Sequence, residues 1–171
     1  PPVTAARTDG DWPAFRGGPG RCGVAAGGPD PVRAANVWAH QKPACYFASA
    51  AVVGNRVFIT SADRGVFSDR GQVLCLDADT GRQCWSLRYP AAGPMDFTNS
   101  PRATPVLHDG RVYLLGAFGQ LHAVEMATGR VLWKRHLAED FGAERPPWGY
   151  SATPLRIGRR LIVNPGAAEA S

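Results

Sequence analysis

The chain has 171 residues, enough for one domain of ordinary size and too few for two with separate large cores. Its residues are 44% hydrophobic and only 19% charged, too apolar for a disordered tail, and its 20 glycines and 15 prolines exclude coiled coils and long helices. The net charge of +5 is nearly all arginine, spread so evenly that Arg159-Arg160 is the one adjacent pair, so no phosphate-binding face gathers and no nucleic-acid partner is expected.

No stretch approaches the roughly 18 uninterrupted apolar residues of a membrane span, and the opening PPVTAARTDGDW lacks the apolar core of a secretion signal. Residues 1–32 read as an extended arm. Their Gly17-Gly18-Pro19-Gly20 run has no lysine and no helical pattern after it, so it is not a phosphate loop. Residues 33–47 hold Trp38 but lack the strand-like runs that precede the later tryptophans.

From Ala48 the chain repeats. LCLDADTGRQCW (74–85) matches HAVEMATGRVLW (122–133), with Gly81 to Gly129 and Trp85 to Trp133 both offset by 48. AVVGNRVFI (51–59), PVLHDGRVYLL (105–115) and PLRIGRRLIV (154–163) form a second matching set, and Trp38 lies 47 before Trp85. Two independent features on one period define a repeat unit. The first full unit spans 48–89 and carries an insertion, ADRGVFSDRG (62–71); the second spans 90–137. Residues 138–171 hold a connection and the start of a third, Ser151 to Asn164.

Within the second unit, glycine-containing turns cut four short runs rich in Val, Leu, Tyr and Trp: TPVLH, RVYLLGA, QLHAV and RVLWKRH. These predict an antiparallel meander of four strands. The apolar runs are nearly continuous rather than alternating, so the sheets should be covered on both faces. Four-stranded sheets repeating in sequence, each sandwiched by its neighbours, predict an all-β fold of the propeller type. Pro105 and Pro154 fall where proline is tolerated, at the start of a unit's first, inner-edge strand.

The turn before each tryptophan predicts a four-residue loop with Asp77 facing Arg82, and with Gly81 and Gly129 left-handed. Asp77 should accept hydrogen bonds from loop amides, and the longer Glu125 should do so less well. The same register sets Cys75 opposite Cys84 and Ala123 opposite Leu132, as core pairs; the cysteines are either a cross-strand disulfide or two buried thiols. No CxxC spacing suggests zinc.

The patterns LDADTGRQCW and VEMATGRVLW resemble the repeat of pyrroloquinoline-quinone-type (PQQ-like) propellers. The opening DWPAFRGGPGRCGVA and the stretch MDFTNSPRATPVLHDGRVYLLGAFGQLHAVEMATGRVLWKRHL resemble the BamB-like group of bacterial envelope propellers. The resemblance implies that Trp38, Trp85 and Trp133 pack between adjacent blades, and that 33–47 is a lone outer strand of a closing blade. Two and a half blades do not close a ring, so the expectation is a fragment of a larger propeller.

What the resemblance implies for function is a non-catalytic, protein-binding scaffold in the cell envelope, periplasmic or outer-membrane-associated, without a cofactor. The alternative is a fragment of a dehydrogenase that uses PQQ and calcium. The adjacent cysteines many such enzymes carry are absent here, the closest pair being nine apart. His40, His108, His122 and His136 fall in no ligand spacing, there is no GxSxG elbow, and Asp63, Asp69, Asp77 and Asp79 do not alternate as in a calcium loop. A small-ligand or glycan site has no residue pattern that selects it. The candidate partner-facing surfaces are the insertion with Phe67 and the long connections 89–101 and 138–150, the latter holding Phe141, Trp148 and Tyr150. Loop aromatics either anchor partners or plug the space between blades.

Overall fold

The computed structural model describes residues 38–40, 48–65, 67–96 and 98–167. The arm over 1–32 and most of the proposed lone strand over 33–47 therefore lie outside the described residues. The fold is built from β1 (Ala51–Val53), β2 (Arg56–Ala62), β3 (Arg70–Asp77), β4 (Gln83–Pro90), β5 (Val106–His108), β6 (Arg111–Leu115), β7 (Gln120–Glu125) and β8 (Val131–His136). The short helix α1 (Leu137–Phe141) follows, then β9 (Leu155–Ile157) and β10 (Arg160–Ile162).

These strands form two antiparallel four-stranded sheets, β1-β2-β3-β4 and β5-β6-β7-β8, and a β9–β10 hairpin. In each unit the first hairpin closes on two residues, Gly54-Asn55, Asp109-Gly110 and Gly158-Arg159, and Gly54, Asp109, Gly110 and Gly158 supply the positive φ such tight turns need. Asp109 and Gly110 both take it, at φ 46° and 69°. Pro105 and Pro154 stand immediately before β5 and β9.

β1 packs against β5, so the two sheets approach each other at their first strands and share one apolar interior. That interior joins Phe58, Val73 and Cys75 of the first sheet to Leu107, Val112, Leu114, Val124 and Met126 of the second. A second cluster, Leu115, Leu121, Leu137 and Tyr150, lies on the far side of the second sheet, with Leu161 and Val163 packed against it. Each sheet is thus an all-β blade laid face to face with its neighbour.

Coverage on both faces holds for the third strands, where Gly71–Leu76 and Leu121–Val124 are buried throughout. It fails for the fourth. Val131 to Arg135 of β8 are all exposed, because among the described residues only a two-stranded hairpin stands beyond the second sheet.

The predicted register also needs one correction. Asp77 N–H donates to Arg82 O at 2.9 Å, as the turn requires, but the ladder then slips by one residue. Cys75 faces Trp85, not Cys84, and Ala123 faces Trp133, not Leu132. A β-bulge takes up Cys84 in one sheet and Leu132 in the other. Both cysteines are free thiols, Cys75 buried and Cys84 exposed, and Leu132 is exposed rather than core. Burial, with Cys84 beside it, pushes the Cys75 thiol up to about 12, so it stays protonated and inert.

Candidate functional site

Trp38 and Trp85 each lie on the turn of the following unit, Trp85 projecting from beside the bulge of its own sheet. Trp38 Nε1 donates to Ala78 O at 2.7 Å, and Trp85 Nε1 donates to Met126 O at 3.0 Å. Both rings lie on the left-handed glycine of that turn: a Cβ would sit 2.6 Å from the Trp38 ring at Gly81 and 2.7 Å from the Trp85 ring at Gly129. Glycine is therefore required there twice over, for positive φ and for room. Trp85 also tilts against Phe58 of its own sheet, centroids 5.9 Å apart, and Trp133 against Tyr113 at 6.1 Å.

The turns differ as their carboxylates do. Asp77 accepts from the backbone N–H of Asp79 and Thr80 (3.2 and 3.0 Å), from the Thr80 hydroxyl (2.8 Å), and from Asn55 and Arg56 (3.2 Å each). Glu125 accepts from the Thr128 hydroxyl and from Arg130, with no loop amide among its donors. The Thr hydroxyl is the leading cause that holds each carboxyl below its ordinary pKa, backed by the Thr80 amide at Asp77 and by Arg130 at Glu125.

At the opposite end of the sheets, three connections converge. Residues 63–69 are fixed to the first sheet by the Asp63–Arg88 pair at 2.7 Å and by the bond from Ala91 N to Asp69 O. Asn99 Nδ2 donates to Ser68 O, joining that segment to 91–105. Arg102 folds the second connection around itself, donating to the carbonyls of Asp96, Thr98 and Ser100 and approaching Met95 Sδ at 2.9 Å. Desolvation of that guanidinium holds its pKa below the usual value. The third connection, 138–154, opens with α1, which the strand pattern did not anticipate. It then returns so that Gly149 (φ 71°) rests against Met95 and Ala117 O.

The result is a shallow groove of about 390 Å³ lined by Phe67, Pro94, Met95, Pro147, Asp96 and Asn99. Phe67 is 65% exposed at its lip, and Trp148 and Phe141 are also exposed on the third connection. Tyr150 is not. It is buried in the second cluster and donates its hydroxyl to Pro165 O, so it plugs the interior instead of facing a partner. Pro94, Met95 and Pro147 lie in the connections 89–101 and 138–150 that the sequence offers as surfaces, but their meeting with Phe67 comes from loop convergence and has no local signature.

One of the histidines that fall in no ligand spacing, His122, is buried. His122 of β7 stacks on Tyr89 of the first sheet at 5.0 Å, and its Nδ1 has no hydrogen-bond partner. Desolvation, with the Lys134 charge opposite, pushes it down to about 4. The imidazole is neutral filler between sheets.

The PQQ-and-calcium alternative requires a site for calcium, which takes several oxygen ligands, commonly from clustered carboxylates. Among the described residues no three His, Cys, Asp or Glu side chains come together in that way, so the described donor set does not fit the ion. No helix among them is long and apolar enough to cross a membrane.

Known proteins place this geometry. A family model described as outer membrane protein assembly factor BamB matches residues 34–144 and 69–167. BamB of Yersinia pestis is 35% identical over 75 residues, 42% of this chain and 19% of that protein, so the match spans about a fifth of the relative's length. A quinohemoprotein alcohol dehydrogenase from Comamonas testosteroni superposes with TM-score 0.53 at 25% identity, over 79% of this chain and 20% of that one. A europium-containing methanol dehydrogenase superposes with TM-score 0.63 at 17% identity, over 94% of this chain and 28% of that one, which shows the shared fold. With antiparallel four-stranded blades joined face to face and the assembly-factor model matching most of its length, the chain belongs to the BamB-like, PQQ-like β-propeller family.

Proposed function

We propose that the chain is a non-catalytic propeller segment that binds other proteins during outer-membrane protein assembly in the bacterial cell envelope. The observation that carries this reading is the rim groove. Three separate connections expend internal hydrogen bonds to hold Phe67, Pro94, Met95 and Pro147 together at the surface, where apolar side chains anchor protein partners. The assembly role comes from the relatives that share the family model. No cofactor is needed for it.

The competing reading, a dehydrogenase using PQQ and calcium, draws on the Comamonas likeness. One experiment separates them. Phe67→Ser with Pro94→Ser, both exposed groove residues, in the full-length protein should leave its melting temperature within a few degrees, yet lower the outer-membrane protein content of cells that depend on it. Unchanged content would overturn the rim reading. Bound-quinone absorbance after addition of PQQ and calcium, with oxidation of an alcohol, would establish the competitor.

A further inference from the structure

The bulge in the first sheet brings its two thiols together. Cys84 and Trp85 both stand opposite Cys75, because the ladder passes from the Cys75–Trp85 pair directly to Leu76–Gln83. Residues opposed across an antiparallel ladder have Cα atoms about 4.5–5.5 Å apart, inside the span of about 4.4–6.8 Å that a disulfide bridges. The Cys84 side chain turns back along its strand, with Sγ 3.9 Å from Arg82 O, and the two thiols lie within side-chain hydrogen-bonding reach of each other. They differ in access: Cys84 is exposed and Cys75 is fully buried. At the same bulge the second sheet has Leu132 and Ala123, so only the first of the two carries the pair.

One open thiol beside one closed thiol is the arrangement that thiol–disulfide exchange requires, since the first meets the reagent and the second resolves the product. Burial, and then the neighbouring Cys84, keep Cys75 protonated and inert towards reagents in solution, so it reacts only once a disulfide sulfur is held beside it. The nearby Arg56 charge favours the Cys75 thiolate at that moment.

We propose that Cys84 and Cys75 form a thiol–disulfide exchange site that accepts a small-molecule disulfide. The Cys84 thiolate attacks one sulfur of the reagent R–S–S–R, forming Cys84–S–S–R and releasing RS⁻. Cys75 gives its proton to solvent and attacks Cys84 Sγ, and the second RS⁻ leaves. The two cysteines are oxidised by two electrons, and the reagent is reduced to two thiols. The bridge ties the bulge to β3 immediately before Trp85 and closes a ring around the Asp77–Gly81 turn. This goes beyond the rim reading and does not depend on it.

The test is incubation of the folded whole chain with oxidised glutathione, followed by tryptic digestion without reductant and mass spectrometry. Cleavage after Arg70, Arg82 and Arg88 releases Cys75 in GQVLCLDADTGR and Cys84 in QCWSLR. The wild-type chain should yield these two peptides joined, and its melting temperature should rise relative to Cys84→Ser treated alike. Cys75→Ala, which gives the first sheet the residue that the second carries at Ala123, should stop at QCWSLR bearing glutathione. Cys84→Ser should yield neither product. Four results would overturn the inference: QCWSLR bearing glutathione but unjoined in the wild type, no modification of either peptide, either peptide joined instead to Cys22 or Cys45, or a joined product that melts below the reduced chain.

Discussion

Trp85 and Trp133 occupy the same repeat position, on the same bulge, against an equivalent aromatic of their own sheet, Phe58 or Tyr113. They differ in what lies beyond. Trp85 is latched to Met126 O and Gly129 of the next sheet, while Trp133 stands partly exposed beside the β9–β10 hairpin. A sequence position thus sets where an indole points, and its neighbour sets what the indole is worth. Truncation should expose the difference most strongly. Trp85→Ala removes a ring packed between sheets and leaves Met126 O without its donor, costing about 3–5 kcal/mol. Trp133→Ala removes a half-solvated ring and its edge contact, costing about 1 kcal/mol. Urea unfolding of both variants measures the gap, and equal losses would mean that inter-sheet latching contributes little.

The third strands offer the next contrast. His122 stands where the first sheet has Leu74, one repeat earlier. Its folded pKa is pushed from 6.5 down to about 4, so the unfolded chain binds the extra proton between those values and the native state does not. Stability is full above about pH 6.5, falls as pH drops towards 4, and levels below it. The loss approaches about 3 kcal/mol at most. His122→Leu makes the second sheet like the first and should flatten that part of the stability–pH curve, as denaturation at pH 4.5 and 7.5 would show.

Much of this architecture is written in the chain, and the reasons for the exceptions are local. The period, the meander and the two-residue turns rest on glycine and on β-branched runs, whose backbone preferences act without regard to distant contacts. The bulge does not announce itself. Cys84 and Leu132 are apolar, and an apolar residue in a strand reads as core until the ladder shows that it has slipped outward. Tyr150 and Trp148 are two residues apart in one connection, yet one is a plug and the other is exposed. That choice is made by Ala117 and Pro165, which the chain brings up from elsewhere. The rim groove is hidden for the same reason, since Phe67, Met95 and Pro147 meet only through tertiary hydrogen bonds.

Glycines sharpen the comparison by separating strain from crowding. Gly110 and Gly129 have similar left-handed φ, 69° and 77°, but a Cβ at Gly110 meets open space and one at Gly129 meets the Trp85 ring. Gly110→Ala should cost only the backbone strain, about 1–2 kcal/mol. Gly129→Ala adds overpacking to that strain, a further 1–3 kcal/mol or so. Combining Gly129→Ala with Trp85→Ala should recover the second part, because the clash leaves with the ring. Strict additivity in that double-mutant cycle would show that the two groups do not press on each other.

The smallest effect separates the two turns. Asp77 gathers loop amides, the Thr80 hydroxyl, Asn55 and Arg56, whereas Glu125 reaches only Thr128 and Arg130. Both carboxyls titrate below their ordinary values, so each stabilises the fold above its unfolded pKa and loses that contribution as pH falls through the lower, folded one. This window opens at the lower end of the range in which His122 acts and extends below it. Asp77→Ala should therefore lower the melting temperature slightly at pH 7, and by less once the pH has dropped far enough to protonate the wild-type carboxyl. Glu125→Ala should do the same more weakly, since its loss leaves no loop amide without an acceptor. A larger drop from Glu125→Ala would show that its contacts to Thr128 and Arg130 outweigh the amide cage around Asp77.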